Sequence, residues 1–456
     1  MKPIFLNRRD VLRLGGVAAL GTAVGGSLVA CSSGGPKMQY MFWGSTAEQE
    51  AVEGMLSSFQ GTLPEDADLT VEPLYTPDDY DTKLNALIAS NRMPDIAYIN
   101  NPMAYRLAEQ DRLLDLGPYF DDYPGIGERL PEAYNYWSET QTFGTPAALE
   151  IMCLFTNKKA FSEAGIELPP VTADGAWTWD AFVDAAYRLT VDQNGRRPDE
   201  DGFDTTQVAR FGTLANMWSA AWYGLLLSNG VDVVDESGTT TQLNSPEAVE
   251  VLQNLVDLMH VHRVAPSPTQ LGNNAPSTPS QLASDRLGMA IDGQWALLDI
   301  SGADFEYGIG VLPSYGTPST ASMGGAIGIS AETEHLDEAL ELYTYQSDPS
   351  VVSLFSSGLW MPVEEKYYTD DELVKVWIDN DAHPEEYRTA VVDYTVSSSK
   401  RYFAERMKNF EEIDKVIVPA MERIQTGEED VQTVMDEVAG QLNDGMLQGF
   451  YPNPLV

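Results

Sequence analysis

The chain is short of the residues on which three common kinds of protein depend. Its 456 residues hold two cysteines, four histidines, and 27 lysines and arginines against 69 aspartates and glutamates. Of the cysteines, Cys31 directly follows a leader and is expected to be acylated, which leaves Cys153 alone, so no disulfide within the chain is expected. Cys153 stands in an apolar run, where a thiol behaves as a small buried hydrophobe. The formal net charge of −42 removes nucleic acid from the partners, because phosphate recognition needs a basic face. It also removes docking on anionic lipid through protein charge. Such acidity keeps a surface soluble and is compatible with a saline habitat. The histidines are His260, His262, His335 and His383. The first two are two positions apart and lie on different faces of a helix, so they make no metal pair there. No Gly-x-Ser-x-Gly elbow is present and no pair of carboxylates stands out as a glycosidase couple. A secreted hydrolase or lyase acting on polysaccharide therefore has no motif behind it, and neither an enzyme nor a cofactor is expected.

What is present begins with a leader. Residues 1–30 carry a basic head (Lys2, Arg8, Arg9, Arg13) and then an uncharged run of Gly, Ala, Val and Leu from Leu14 to Ala30, the pattern of an export signal. Arg8 and Arg9, followed by Val11, Leu12 and Leu14, resemble a twin-arginine signal. Leu28-Val29-Ala30-Cys31 resembles a bacterial lipoprotein signal, which implies that Cys31 is acylated and becomes the first mature residue. An apolar stretch of about 17 residues rich in Gly and Ala makes a weak transmembrane span by comparison. Residues 31–36, with Ser-Ser-Gly-Gly, read as a flexible tether. The expected location is outside the cytosol, at the outer face of the cell membrane, with the bilayer as partner through Cys31.

The mature body, of roughly 420 residues, is too long for one core and is expected to form two lobes. Lys37–Trp43, Leu69–Tyr75 and Ile96–Ile99 read as strands, separated by helices over about 48–59 and 80–90. Alternating strands and helices predict a mostly parallel sheet with its ligand beyond the carboxyl ends of the strands. Trp43, Ser45, Asn100 and Asn101 stand at such ends. Asp95 is expected to hydrogen-bond at the start of its strand. The run Ala147–Thr156, after Gly144 and Pro146, is apolar almost throughout and holds one acid, Glu150. It reads as a strand buried on both faces, in which a carboxylate needs a polar reason to be present. Glu150 is either a half-wet strand end or a carboxylate facing a cleft.

Further on, Asp192, Asn194, Asp199 and Asp201 lie around glycines and make a weak calcium candidate. Arg196 falls where an oxygen ligand belongs, and no acid closes the loop. Phe211–Ser228 is aromatic and apolar, and helical spacing puts at least two of Trp218, Trp222 and Tyr223 in the core. Gly288–Trp295 and Met323–Ser330 read as strands, and a mainly helical tail carries no legible chemistry.

In this order the pieces resemble the extracellular solute-binding proteins of ABC importers, in the branch that includes the maltose-binding protein. Gly144–Lys158 is similar to the first crossing between lobes, and Trp177–Phe182 to a Trp-Thr-Trp-Asp-x-Phe helix start. Leu287–Trp295 is similar to Gly-x-x-Ala-Met-x-x-x-Gly-x-Trp, with Met289 and Ala290 in swapped order. Met323–Ser330 and Trp360–Pro362 resemble the return crossing and a Gly-x-x-Pro turn. The resemblance implies a two-lobe, type II periplasmic-binding-protein α/β fold. Its expected lobes are 37–146 with 289–328, and 147–288 with 329–456. It also implies a sugar or oligosaccharide held between the lobes by a monomer and passed to a membrane permease. Carried over by position, Glu150 is the expected hydroxyl-binding acid, and Trp218 and Trp295 are stacking platforms. Trp43, Ser45, Asn100 and Asn101 are first-lobe contacts, with Asp292, Gly324, Gly325 and Trp360 as weaker members. A non-sugar solute such as a glycerol phosphate or a peptide, and a scaffold protein on the same fold, remain the alternatives. Trp177 and Trp179 are assigned to packing.

Overall fold

The computed structural model describes residues 35–64, 67–272 and 275–456. The leader, Cys31 and most of the tether lie outside them. The first strands are β1 (Lys37–Phe42), β2 (Thr70–Tyr75) and β3 (Ile96–Ile99). β1 pairs in parallel with both β2 and β3. The crossover helix α1 (Thr46–Gln60) buries Val52, Met55, Leu56 and Phe59, spaced three, one and three residues apart, as one helical face requires. α2 (Tyr80–Ala89) makes the second crossover, and α3 (Asn101–Glu109) leaves the end of β3. Asp95 accepts the Gln39 amide N–H at 2.7 Å and the Thr333 hydroxyl at 2.7 Å, which fixes the start of β3 as expected.

The second sheet is organised on β4 (Glu150–Asn157), whose residues after Glu150 are all buried. Ile151, Cys153 and Phe155 enter one core, and Met152 and Leu154 the other. Period-two alternation between two apolar layers is why the segment is hydrophobic at nearly every position. A short hairpin, β5 (Val191–Asp192) with β6 (Val208–Arg210), stands apart. β7 (Met289–Gly293) flanks β4 antiparallel on one side, with β8 (Tyr307–Gly310) and β9 (Thr320–Met323) on the other. β10 (Ala326–Ile329) returns to the first sheet, antiparallel to β3, and β11 (Ser399–Arg401) extends the second beside β9.

This pairing differs from the expected division at 289–328 and 329–456. β7, β8 and β9 belong to the second sheet, and only β10 joins the first. The helix Leu336–Tyr345 then stays with the first sheet, where Gln346 accepts the Tyr40 hydroxyl at 2.6 Å. Apolar pattern marks a strand but not its neighbour, and both sheets offer the same kind of buried edge.

The helices Phe410–Gln425 and Val431–Asn443 cover the second core. The chain then comes back to the first sheet's body. Tyr451 stacks on Tyr105 with centroids 3.9 Å apart and donates to Glu109 at 3.0 Å. Among the described residues no helix is long and apolar enough to cross a membrane.

The calcium candidate is not a cage. Asp192 accepts the amide N–H groups of Asn194 at 2.7 Å, Arg196 at 2.9 Å and Asp204 at 3.1 Å, and so organises its own turn. Among the described residues no group of three or more His, Cys, Asp or Glu side chains is arranged to hold a metal ion.

Candidate ligand-binding cleft

Where the two sheets meet there is a cleft of about 1070 Å³, lined from both sides. On the first-sheet side Trp43 follows β1. Its ring is held edge-on by Tyr80 at 4.9 Å and Tyr98 at 5.1 Å. A Cβ on Gly325 would lie 3.1 Å from that indole, so the bare backbone is what lets the crossing pass so close to it. Ser45 caps α1 by accepting the Glu48 amide N–H at 3.2 Å, and its hydroxyl faces Asp299 at 3.3 Å. Asn100 caps α3 by accepting the Met103 amide N–H at 3.0 Å and donates to Asp81 at 2.9 Å. Asn101 is buried and clamps the crossing, accepting the Ala326 amide N–H at 3.0 Å and donating to the Gly324 carbonyl at 3.4 Å. All three polar residues border the cleft, with side-chain capacity already committed to the fold.

On the second-sheet side Trp218, 46% exposed, precedes the helix Ser219–Ser228 and meets Trp295 in a T-shaped contact at 6.1 Å. Trp222 and Tyr223, one turn on, are buried. Trp295 follows β7 with its ring folded over Gly293, where a Cβ would lie 2.1 Å from the indole. Asp292 accepts the Gly293 amide N–H at 2.8 Å, and burial raises its pKa.

Glu150 opens β4 at the floor, opposite Met323. Among the described residues no donor is hydrogen-bonded to its carboxylate. Burial, and after it the neighbouring Glu48 and Glu405, push its pKa well above the ordinary carboxylate range. Glu150 is thus a half-buried strand end that also borders the cleft. Glu48 folds back over Gly44, whose φ of +139° and lack of a side chain leave it room. Burial, helped by Asp299 and opposed by the Ser45 hydrogen bond, pushes Glu48 up to about 8.

Gly324 lies where a Cβ would be 2.4 Å from the Ala148 carbonyl, so its role is to let the crossing backbones approach. Trp360 is a correction. It is 4% exposed, packs edge-on against Phe355 at 5.6 Å and does not border the cleft. Met361 pairs with Leu149, which turns the tryptophan into the core and leaves Leu359 at the cleft wall.

Several lining residues carried no signal in the sequence. Glu48 and Asp299 sit in ordinary helical contexts, and Tyr402, Glu405, Phe410 and Asp414 come from the tail. Glu405 is buried and tied to Arg401 at 3.0 Å. Arg401 also donates to the carbonyls of Glu132 at 2.8 Å and Tyr134 at 3.0 Å, and to the side chain of Asn135, so it bridges the two bodies.

Residues 56–352 match the family model described as bacterial extracellular solute-binding protein. The arabinooligosaccharide-binding protein of Halalkalibacterium halodurans is 26% identical over 188 residues, which are 40% of this chain and 36% of that protein. The chain thus spans little more than a third of that relative. The multiple sugar-binding protein of Streptococcus mutans is 21% identical over 61% of this chain and 68% of its own length. Among solved structures, the ABC substrate-binding protein Lmo0181 from Listeria monocytogenes, in complex with cycloalternan, superposes with a TM-score of 0.74 at 21% identity. That match covers 90% of this chain and 99% of the other. A family match over more than half the chain and a shared fold over nine-tenths of it agree with a cleft between two sheets: this chain belongs to the bacterial extracellular solute-binding proteins.

Proposed function

We propose that the protein captures a sugar, and more specifically an oligosaccharide, in the cleft and delivers it to the permease of an ABC importer. The observation that carries this reading is the cleft's composition. Trp218 and Trp295 on one side and Trp43 on the other surround Glu150, whose carboxylate has no hydrogen-bond donor among the described residues. Sugars present apolar C–H faces to aromatic rings and hydroxyls to carboxylates, and a cleft of about 1070 Å³ has room for more than one ring. The relatives named for arabinooligosaccharides and multiple sugars support the same class. An anionic solute such as a glycerol phosphate fits poorly, because the one lysine at the cleft wall, Lys415, is already paired with Glu412.

In this reading the two sheet-centred bodies are lobes that close around the ligand, with 146–150 and 323–326 as hinge crossings. The leader exports the chain, acylated Cys31 holds it at the outer membrane face, and a monomer presents the loaded cleft to the permease. Nothing in this scheme calls for catalysis or a cofactor.

A thermal-shift screen of the mature chain against mono- and oligosaccharides, with amino acids and peptides as controls, tests it. A ligand at a hundredfold excess over its Kd stabilises the folded state by about 2.7 kcal/mol. Stabilisation by one carbohydrate class is the expected result. Stabilisation by a control class alone, or by none of the compounds, would overturn the sugar reading.

A further inference from the structure

Among the described residues, eight carboxylates border the cleft against a single lysine, Lys415, which Glu412 already holds. An acid-rich chain is expected to carry many solvated carboxylates on its surface, where water stabilises them. Several of those in the cleft are different. Glu150 opens a strand buried on both faces and has no hydrogen-bond donor among the described residues. Glu48 is folded over Gly44 beneath the end of β1, and Ser45 places Asp299 on the same side. Asp292 has neutral donors, the Gly293 amide at 2.8 Å and the Thr278 side chain, and no cation among the described residues. Two of the eight do have a cation: Glu411 is paired with Arg106 at 3.4 Å at the rim, and Glu405 with Arg401, whose guanidinium is committed to Glu132, Tyr134 and Asn135 as well.

Neutral hydroxyls can donate hydrogen bonds to these groups but bring no charge. Carboxyl groups gathered away from water without a cation resist ionisation, and their ionised forms become favourable when a cation enters with the ligand. An ammonium supplies a full charge and three N–H donors, and the tryptophan faces nearby attract a cation as well as the C–H face of a sugar. Burial raises the protonation range of Glu48, Glu150, Asp292 and Asp414, so they tend to hold protons in the empty cleft, and an ammonium bound beside Glu48 and Glu150 favours their ionised form and releases those protons to solvent.

We propose that the ligand is an oligosaccharide bearing a basic amino group, and that Glu48 and Glu150 receive its ammonium at the cleft floor while the tryptophans hold its rings. The inference rests on the oligosaccharide reading above and narrows it to amino sugars.

The experiment compares sugars matched in length and linkage that carry a hydroxyl, a free amine or an N-acetyl group at the same carbon. β-1,4 trimers of glucose, glucosamine and N-acetylglucosamine form one set, and galactose with galactosamine another. Affinity of the mature chain is measured by calorimetry at pH 6.5, at fixed salt. The expected result is at least tenfold tighter binding of the amine member. Glu48→Gln and Glu150→Gln should each narrow that ratio towards one. Equal or tighter binding of the hydroxyl or N-acetyl member overturns the proposal and leaves the sugar reading standing. Binding of other neutral oligosaccharides, with none of the amines bound, does the same. Failure of every carbohydrate overturns both.

Discussion

The Glu405 carboxylate, carried by the tail, accepts the amide N–H of Gly324 at 2.7 Å on the crossing that links the two sheets. Its other oxygen receives Arg401 Nε at 3.0 Å, and both residues are largely buried. The cleft floor is therefore braced by a residue some eighty positions away in sequence.

Removing that brace should be felt mainly as lost stability. Glu405→Ala leaves the buried Gly324 amide without its acceptor and the Arg401 guanidinium without its counter-charge, and breaking a buried ion pair from one side costs about 3–5 kcal/mol. Urea unfolding should report a loss of that order. Glu405→Gln, which keeps an acceptor for Gly324, should lose less. A Glu405→Ala protein with the parent's midpoint would show that the brace contributes nothing.

Trp218 and Trp360 should part company under the same substitution. Trp218 is 46% exposed, so Trp218→Ala is expected to leave the unfolding midpoint within about 0.5 kcal/mol of the parent. Affinity for the cognate sugar should fall roughly tenfold, as loss of about 1–1.5 kcal/mol of aromatic contact implies. Trp360 is in the core, so Trp360→Ala should cost about 3–5 kcal/mol of stability. At a temperature where that variant is folded, its affinity should match the parent's. Denaturant titration and calorimetry on the two variants decide both points.

The contrast between these tryptophans marks how far sequence reaches. β3 lies where apolar pattern and the Met93-Pro94-Asp95 turn put it, at Ile96–Ile99, and β1, β2 and β4 begin or end within three residues of expectation. Trp43, Glu150, Trp218, Asp292 and Trp295 all reach the cleft because each stands at a strand end or helix start whose direction the local pattern fixes. Trp360 stands in a turn, and its direction depends on the pairing of Met361 with Leu149, which no local pattern encodes. The same holds for β7, whose existence was legible and whose sheet was not, while β8 and β9 are too short to stand out as strands from pattern alone. Glu405 and Asp414 were invisible for a simpler reason: an acid in a helical tail looks solvated until the fold closes over it.

Gly324 tests the crossing itself. A methyl group there would lie 2.4 Å from the Ala148 carbonyl and 2.7 Å from Pro146, both parts of the other crossing strand. Backbone cannot rotate away as a flexible side chain can, so the crossings must move apart. Gly324→Ala is expected to lower stability by about 1–3 kcal/mol and to weaken sugar binding, since Glu150 opposes the neighbouring Met323. Gly325→Ala meets only the Trp43 ring, at 3.1 Å, and should be milder in stability. If Gly324→Ala is as stable as the parent and binds as well, the crossings are not in the close approach described.

Glu48 gives a prediction whose sign follows from its surroundings. Burial, with Asp299 adding to it, pushes its folded pKa up to about 8 from the ordinary 4.5. Between those values the folded chain holds a proton on Glu48 that the unfolded chain has released. Stability from this group is therefore complete below about pH 4.5 and declines as pH rises towards 8. Glu150, Asp292 and Asp414 are raised in the same direction and Glu405 joins them despite Arg401, so the parent's own slope is a sum over several carboxylates. The difference between parent and Glu48→Gln isolates one of them, because the amide keeps the shape and cannot ionise. Urea unfolding across this range should find the variant equal to the parent near pH 4 and more stable by on the order of 1 kcal/mol or more at pH 8. A constant difference at every pH would mean that Glu48 ionises in the folded cleft as it does in water, and that its enclosure over Gly44 is not maintained in solution.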